Sequence, residues 1–313
     1  MNYDLNNHRV NTMLLSDSLQ NEIKFLVFAA MLLFLVPASV FAEQTIFSST
    51  DEAANQLYEA IEQKNTLAVK KLLGTEYFHL LPLDDVDEQD RQSFIESWKT
   101  SHQLIANEKN QYFIKVGKKG WTFPIPLIKE NSGWRFDTET GIDEIRIRRI
   151  GKNELSAMQA VLAYYDAQKE YAEQDRNGDG SLEYARKFIS TDGKKDGLYW
   201  PVEAGAPSSP LGMLFANKIP EQSYHGYYYK ILQAQGPNAH GGAYSYLIGE
   251  RMKSGFALIA WPAEYGDSAV MSFMISHNGV LYEKNLGPES DQIAEKMQAF
   301  DLDSSWVISE ESP

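Results

Sequence analysis

The chain has 313 residues, enough for about two domains, and its 43% hydrophobic and 23% charged residues are typical of a globular protein. Its net charge of −14 at pH 7 argues against nucleic acid as a partner, because the phosphates would be repelled, and it disfavours an anionic membrane surface. The absence of cysteine excludes disulfides, thiolate catalysis and thiolate metal sites.

Residues 1–42 predict a secretory signal peptide. Lys24 precedes an apolar run over 25–36, and a Val-Phe-Ala cleavage site follows at Ala42. The competing hypothesis is a transmembrane anchor, since the apolar segment approaches the roughly 20 residues that a span requires. The cleavage site favours removal. We therefore expect a mature protein that begins at Glu43, is periplasmic or secreted, and has no stable membrane insertion.

Residues 43–140 predict a first α+β domain that begins with helices. A capping-box pattern that starts at Ser49 begins a helix over about 50–63. Further helices are expected over 67–73, closed by a glycine, and over 88–104.

Two runs with strand alternation follow the helices, over 112–116 and 121–127. Pro124 and Pro126 have the opposite parity in the second run, which predicts an edge strand or a bulge because proline donates no hydrogen bond. A turn at 131–133 predicts a hairpin. Helices followed by a curved antiparallel sheet are similar to the nuclear-transport-factor-2-like superfamily, and this resemblance implies a cone-shaped fold.

A charged segment at 141–152 predicts a linker between two domains. It holds the only dense basic cluster of the chain, formed by Arg146, Arg148 and Arg149. A phosphate or lipid-headgroup site is one interpretation of this cluster. The flanking carboxylates favour the other, a solvated face with internal ion pairs.

Residues 153–313 predict a second α+β domain, with a long helix on an antiparallel meander. Apolar spacing predicts a helix over 155–172 with Asn153 as its N-cap. Its inward stripe is Leu155, Met158, Leu162 and Tyr165, widened by Val161, Tyr164 and Tyr171.

The remainder of this domain predicts a long irregular connection followed by short strands. The connection covers 190–224, where Gly, Pro, Ser and Asp are frequent. Ser290 is expected to cap a last helix, with a loose acidic tail over 301–313. The strands are expected at 227–232, 256–261, 270–275 and 280–283, and the helix carries Ile293, Met297 and Phe300 at positions i, i+4 and i+7.

Several motifs stand out along the chain: WTFPIPLIKENSGWRFDTETG, DAQKEYAEQDRNGDGSLEYARKFISTDGKKDGLYWP, HGYYYKIL, GFALIAWPAEYG and MSFMISHNGVLYEKNLG. They resemble the exported bacterial family catalogued as domain of unknown function 2950. The resemblance covers about residues 51–286 and implies no activity.

Residues 153–286 are also similar to the soluble heads of type IV pilins and pseudopilins. Because the long helix begins mid-chain, this resemblance implies a soluble pilin-like module rather than a fibre subunit.

A calcium-loop pattern follows the long helix. Asp175, Asn177, Asp179 and Glu183 stand at the first, third, fifth and ninth positions of such a loop. Arg186 occupies the last position, where a bidentate glutamate is expected. The sequence leaves two interpretations open: a weak calcium site, or a turn in which Asp and Asn bond their own backbone. No other cofactor is expected.

The chain contains no familiar hydrolase, nucleotide-binding or zinc motif. His225, His240 and Glu264 are the remaining candidates for general acid–base chemistry, provided that the fold brings them together. The alternative is that they are ordinary surface residues.

Aromatic residues are frequent in the second domain and suggest a carbohydrate or peptide site, although alternation places about half of them in the core. The candidates for ligand binding are Trp200, Tyr228 and Tyr265.

Together these features favour an exported, non-catalytic binding or assembly module of the cell envelope, whose partner is an envelope protein or a small ligand. Two alternatives remain. One is a hydrolase-type enzyme with an unrecognised acid–base site, and the other is a structural pilin-like subunit.

Overall fold

The computed structural model describes residues 44–74, 88–202, 208–212, 223–310 and 312. Within these ranges the chain forms five helices and mostly antiparallel sheets, so the predicted α+β class is confirmed. The chain divides into two compact units, with the boundary between Thr140 and Gly141.

The predicted signal peptide, 1–42, lies outside the described residues. In the described part, no helix has both the length and the apolar composition that a membrane crossing requires. The finer resemblances, to nuclear-transport-factor-2-like folds and to pilin heads, stay predictions, as do the domain bounds 43–140 and 153–313.

The described part of the first unit begins with three helices. The predicted start is confirmed: Ser49 Oγ accepts a hydrogen bond from Glu52 N at 3.1 Å, and the Glu52 carboxylate accepts one from Ser48 N at 2.9 Å. The predicted extension of the third helix to Leu104 is wrong, because Leu104 pairs with Ile114 in a sheet. The helices are α1 (Thr50–Glu62), α2 (Thr66–Leu73) and α3 (Glu88–Thr100).

A five-stranded antiparallel sheet completes this unit, with β1, β2, β4 and β5 adjacent in that order and β3 paired with β2. The single strand predicted over 121–127 is two strands instead. Pro124 and Pro126 lie between them, where they cannot donate to a ladder. The strands are β1 (His102–Ala106), β2 (Tyr112–Val116), β3 (Trp121–Thr122), β4 (Leu127–Glu130) and β5 (Gly133–Phe136).

The segment before α1 extends this sheet at β5. Phe47 N donates to Trp134 O and Trp134 N donates to Phe47 O, each at 2.8 Å. Gly133 has φ +144°, and a Cβ there would lie 2.5 Å from Phe47 O, so only glycine fits this close approach. Gln44 Nε2 donates to two further backbone carbonyls at 2.8 Å.

The long helix α4 (Thr138–Tyr171) begins well before its predicted N-cap, Asn153. Residues 141–152, the predicted linker, are therefore helical. Charge pairs at helical spacing supply the reason, because Arg148 Nε lies 2.7 Å from Glu144 Oε1, four residues earlier. A second such pair joins Arg146 and Asp143, and Arg149 pairs with Asp267, so the interpretation of the arginine cluster as internally paired is confirmed.

The predicted stripe of α4 is confirmed at Val161, Tyr164 and Tyr171, which are buried. Its other members lie at the edge of the buried face: Leu155 is 52% exposed, and Met158, Leu162 and Tyr165 are partly buried. Alanines and a glutamine complete the buried face. The buried residues are Ala157, Ala160, Val161, Tyr164, Ala167, Gln168 and Tyr171.

The main sheet of the second unit is antiparallel, with β15, β13, β12, β11 and β6 adjacent in that order, and it contains the predicted meander. Its strands are β6 (Tyr227–Leu232), β11 (Ala257–Pro262), β12 (Ser272–Ser276), β13 (Leu281–Lys284) and β15 (Val307–Ile308). Two smaller sheets contain β7 (Ala234–Gln235), β8 (Tyr244–Ser245), β9 (Leu247–Ile248), β10 (Arg251–Met252) and β14 (Ala299–Phe300). Only the β7–β14 pair is parallel among the described strands.

The C-terminal region is more ordered than predicted. The last helix, α5 (Ser290–Lys296), ends before Phe300, which lies in β14. Lys230 Nζ donates to the carbonyls of Glu295 and Met297 at 2.5 and 2.6 Å, and so caps the end of α5. The tail predicted to be loose contains β15, which pairs with β13 and follows the buried Trp306.

His277 gives this unit an expected pH dependence. The ring packs edge-on against Tyr246, with 5.5 Å between centroids, and burial lowers its pKa, with a smaller contribution from the positive charge of Lys169. The unfolded chain, with a histidine pKa of about 6.5, then binds more protons than the folded one below that pH. We expect the free energy of unfolding to fall as the pH drops from about 7 to about 5.

Urea unfolding at several pH values measures this dependence, and His277→Gln should make it shallower. The matched control is His240→Gln, an exposed histidine of the same unit, which should leave the slope unchanged. Equal slopes in both variants would contradict the assignment.

Candidate ligand-binding cleft

A cleft of about 1140 Å³ lies in the first unit, between α1, α2, α3 and the strands β2 and β3. This volume is slightly above the usual range for small-molecule sites, roughly 300–1,000 Å³. Its floor consists of core side chains from α1 and α2, which the amphipathic pattern of both helices turns inward. The apolar lining includes Leu57, Ile61, Val69, Phe94, Trp121 and Phe123.

Three aromatic rings form one wall of the cleft. The ring centroid of Phe94 lies 6.1 Å from Trp121 and 6.4 Å from Phe123, and Trp121 and Phe123 are also 6.4 Å apart. Phe123 is buried, whereas Trp121 is 48% exposed. The wall therefore presents a large apolar surface to the cleft, with the indole held by its two neighbours.

An ion-pair cluster forms another part of the lining, between the end of α1 and the start of α3. Arg91 donates to both carboxylate oxygens of Glu88, at 3.0 and 2.5 Å, and Lys64 Nζ lies 2.9 Å from Glu88 Oε2. Arg91 and the further donors Gln92 and Lys64 hold the pKa of Glu88 well below its usual range. Arg91 Nη1 also donates to Ile61 O at 3.3 Å, which ties the end of α1 to the start of α3.

A tight turn between β2 and β3 forms part of the rim. Gly117 N donates to Ser97 O at 3.1 Å and to Ser101 O at 2.9 Å, so the turn is anchored on α3. Gly117 has φ +70°, and a Cβ there would lie 3.2 Å from Ser97 Cβ, which explains the glycine. The turn places two exposed lysines, Lys118 and Lys119, in the lining of the cleft.

None of the predicted site residues lines this cleft. The sequence signal was Lys118 and Lys119 between two glycines, directly before Trp121. These residues predict a turn between two strands, but their local pattern does not show that helices of the same unit line the cleft with them.

The predicted acid–base residues lie in the second unit and contact different neighbours. The ring of His225 is tilted against that of Tyr224, with 4.1 Å between ring centroids. Glu264 N donates to Ser268 Oγ at 2.9 Å, and His240 O accepts a hydrogen bond from Gln235 Nε2 at 2.7 Å. A catalytic role for this set stays a hypothesis.

The predicted aromatic ligand site has one buried member. Trp200 belongs to the core of the second unit, where Arg176 and Lys195 lie over its ring at 5.5 and 5.4 Å. Tyr228 and Tyr265 are half-buried. Ligand binding by these residues stays a prediction.

Hydrogen bonds within the protein account for the predicted calcium loop. The Asp175 carboxylate accepts bonds from Gly178 N at 2.8 Å and Gly180 N at 2.7 Å, which lower its pKa. Asn177 Nδ2 donates to Glu183 Oε1 at 2.8 Å, and Asp179 Oδ2 pairs with Arg251 at 2.7 Å. No group of three or more His, Asp or Glu in the described ranges is placed to hold a metal ion. A calcium site here stays a hypothesis.

The chain was compared with known protein families, curated proteins and solved structures. A family model described as "Protein of unknown function (DUF2950)" matches residues 44–308. No curated protein and no solved structure gives a significant match.

Proposed function

The chain belongs to the DUF2950 family, and we propose that it is an exported, non-catalytic binding module of the cell envelope whose first unit holds a largely apolar small ligand. The observation that carries this proposal is the cleft of about 1140 Å³ with the half-exposed Trp121 in its aromatic wall. Export, to the periplasm or beyond the cell, is supported by the signal-peptide pattern of 1–42.

The cleft is suited to an apolar ligand because its apolar surface is already in place. Covering that surface is favourable by roughly 25 cal/mol per Å². The ion pairs of Arg91 fix the start of α3, and the backbone hydrogen bonds of Gly117 fix the turn between β2 and β3. These parts of the lining are therefore ordered before a ligand binds, which lowers the entropy cost of binding.

The polar groups of the cleft favour binding over hydrolysis. Ser93 Oγ and Thr100 Oγ1 each donate to a backbone carbonyl of α3 at 2.8 Å rather than to a base. No histidine is among the described residues that line the cleft. An activated hydroxyl nucleophile needs a base, and histidine is the commonest one. The hydrolase and structural-subunit alternatives stay hypotheses.

Titration of the mature protein with the uncharged fluorescent probe phenylnaphthylamine tests the proposal. We expect saturable binding of one probe per chain, weakened about tenfold by Trp121→Ala, as for a central aromatic contact. The matched control is Leu67→Ala, which removes a 73% exposed apolar side chain of the same unit that does not line the cleft.

The control should bind the probe like the wild-type protein. Melting temperatures of both variants establish that each is folded. Absence of saturable binding by the wild-type protein, or equal affinity in the Trp121→Ala variant, would defeat the proposal.

A further inference from the structure

The lining of the cleft differs in charge from the rest of the chain. It contains four cationic and three anionic side chains, an excess of one positive charge in a protein of net charge −14. Glu88 forms ion pairs with Lys64 and Arg91, so these three charges are paired within the protein. The carboxylates of Asp90 and Glu96 lie on α3 and form no ion pair within the described part of the chain.

Lys118 and Lys119 form the cationic part of the rim. Neither has an ion-pair partner among the carboxylates that the structure describes. Gly117 fixes the turn that carries them on α3, and Trp121 follows two residues later. Two ammonium groups and the apolar wall are therefore held side by side by one short segment.

This juxtaposition points to a ligand with two chemically different ends. An apolar chain fits the wall of Phe94, Trp121 and Phe123, and an anion fits the adjacent exposed lysines. Resting on the function proposed above, we infer that the ligand is a single-chain amphiphile with an anionic head group that Lys118 and Lys119 bind. A carboxylate and a phosphate share this chemistry.

Displacement of phenylnaphthylamine by dodecyl compounds below their micelle concentrations tests the inference. Dodecanoate and dodecyl phosphate are the anionic ligands, dodecanol the uncharged one and dodecyltrimethylammonium the cationic one. We expect the better anion to bind about tenfold tighter than dodecanol, and the cation to bind more weakly than either, because charge complementarity mainly sets specificity. The preferred anion identifies the source, a fatty acid or a phosphate head group.

The double variant Lys118→Ala/Lys119→Ala should reduce the affinity for both anions to that for dodecanol and leave dodecanol binding unchanged. The matched control is Lys71→Ala/Lys109→Ala, which removes two exposed lysines of the same unit outside the cleft. It should retain the preference.

The results separate this inference from the function on which it rests. Equal affinity for dodecanol and the anions, tighter binding of the cation, or an anion preference that survives in the Lys118→Ala/Lys119→Ala variant would overturn the head-group assignment alone. Failure of every dodecyl compound to displace a bound probe would also overturn it. Failure of the probe itself to bind would instead remove the cleft as a ligand site.

Discussion

Replacing Gln168 with methionine should lower the free energy of unfolding by about 2–4 kcal/mol, the sum expected when two buried polar groups lose their partners. Gln168 is fully buried on α4. Its Nε2 donates to Ala185 O at 2.8 Å and to Tyr164 Oη at 3.0 Å, while its Oε1 accepts a bond from Ala185 N at 2.8 Å. Methionine has a similar shape, so the loss comes from the unpaired backbone of Ala185 rather than from a cavity.

Urea unfolding followed by circular dichroism measures the Gln168→Met effect. The control is Gln292→Met, the same change at an exposed position of α5 in the same unit. It should alter stability by less than about 0.5 kcal/mol. If the two variants unfolded at the same urea concentration, the hydrogen bonds of Gln168 to Ala185 would not stabilise the packing of that segment on α4.

The second large effect is expected at Phe256, where truncation to alanine should cost about 3–5 kcal/mol. The ring is fully buried, with its centroid 4.8 Å from Tyr184 and 5.8 Å from both Tyr164 and Tyr165. It joins α4 to the start of β11. Phe256→Leu keeps most of the volume and should cost less than about 1.5 kcal/mol.

Thermal and urea unfolding of the two Phe256 variants give this comparison. Ile248→Ala serves as the control, because Ile248 is an exposed apolar residue of the same unit. A Phe256→Ala variant as stable as the Ile248→Ala variant would refute the central role of the ring. If the units fold separately, as predicted, the Phe256→Ala variant should still bind phenylnaphthylamine in the cleft of the first unit.

Local signals in the sequence predicted the type of most elements. Ser49 and Gly74 marked helix ends, because helix caps need particular residues wherever they occur. Such signals depend on a few neighbouring residues and hold regardless of the tertiary structure.

Properties that depend on packing were not predicted. The charges over 141–152 were read as a linker, although Glu144 and Arg148 at helical spacing support a helix equally well. On α4, Tyr164 and Tyr171 are buried as the sequence predicts, whereas Leu155 is 52% exposed and Ala157 and Ala160 are buried instead. Hydrophobicity alone does not indicate which part of an apolar stripe faces the core.

The cleft was beyond prediction for a similar reason. Its residues come from three helices and two strands, and Leu57, Phe94 and Trp121 are distant in sequence. Each one fits an ordinary core or strand position in its own segment. Only a general expectation of concavity in the first domain followed from the order of helices and sheet.

The pairing of Phe47 with Trp134 bears on the order of events in the export that the sequence predicts. The predicted cleavage after Ala42 lies two residues before Gln44, whose side chain is bound to two backbone carbonyls, and five before Phe47. In the folded protein these bonds hold Gln44 and Phe47, so neither is free to enter a peptidase as extended chain. If the leader is removed as predicted, we expect its removal to precede the closure of this edge of the sheet.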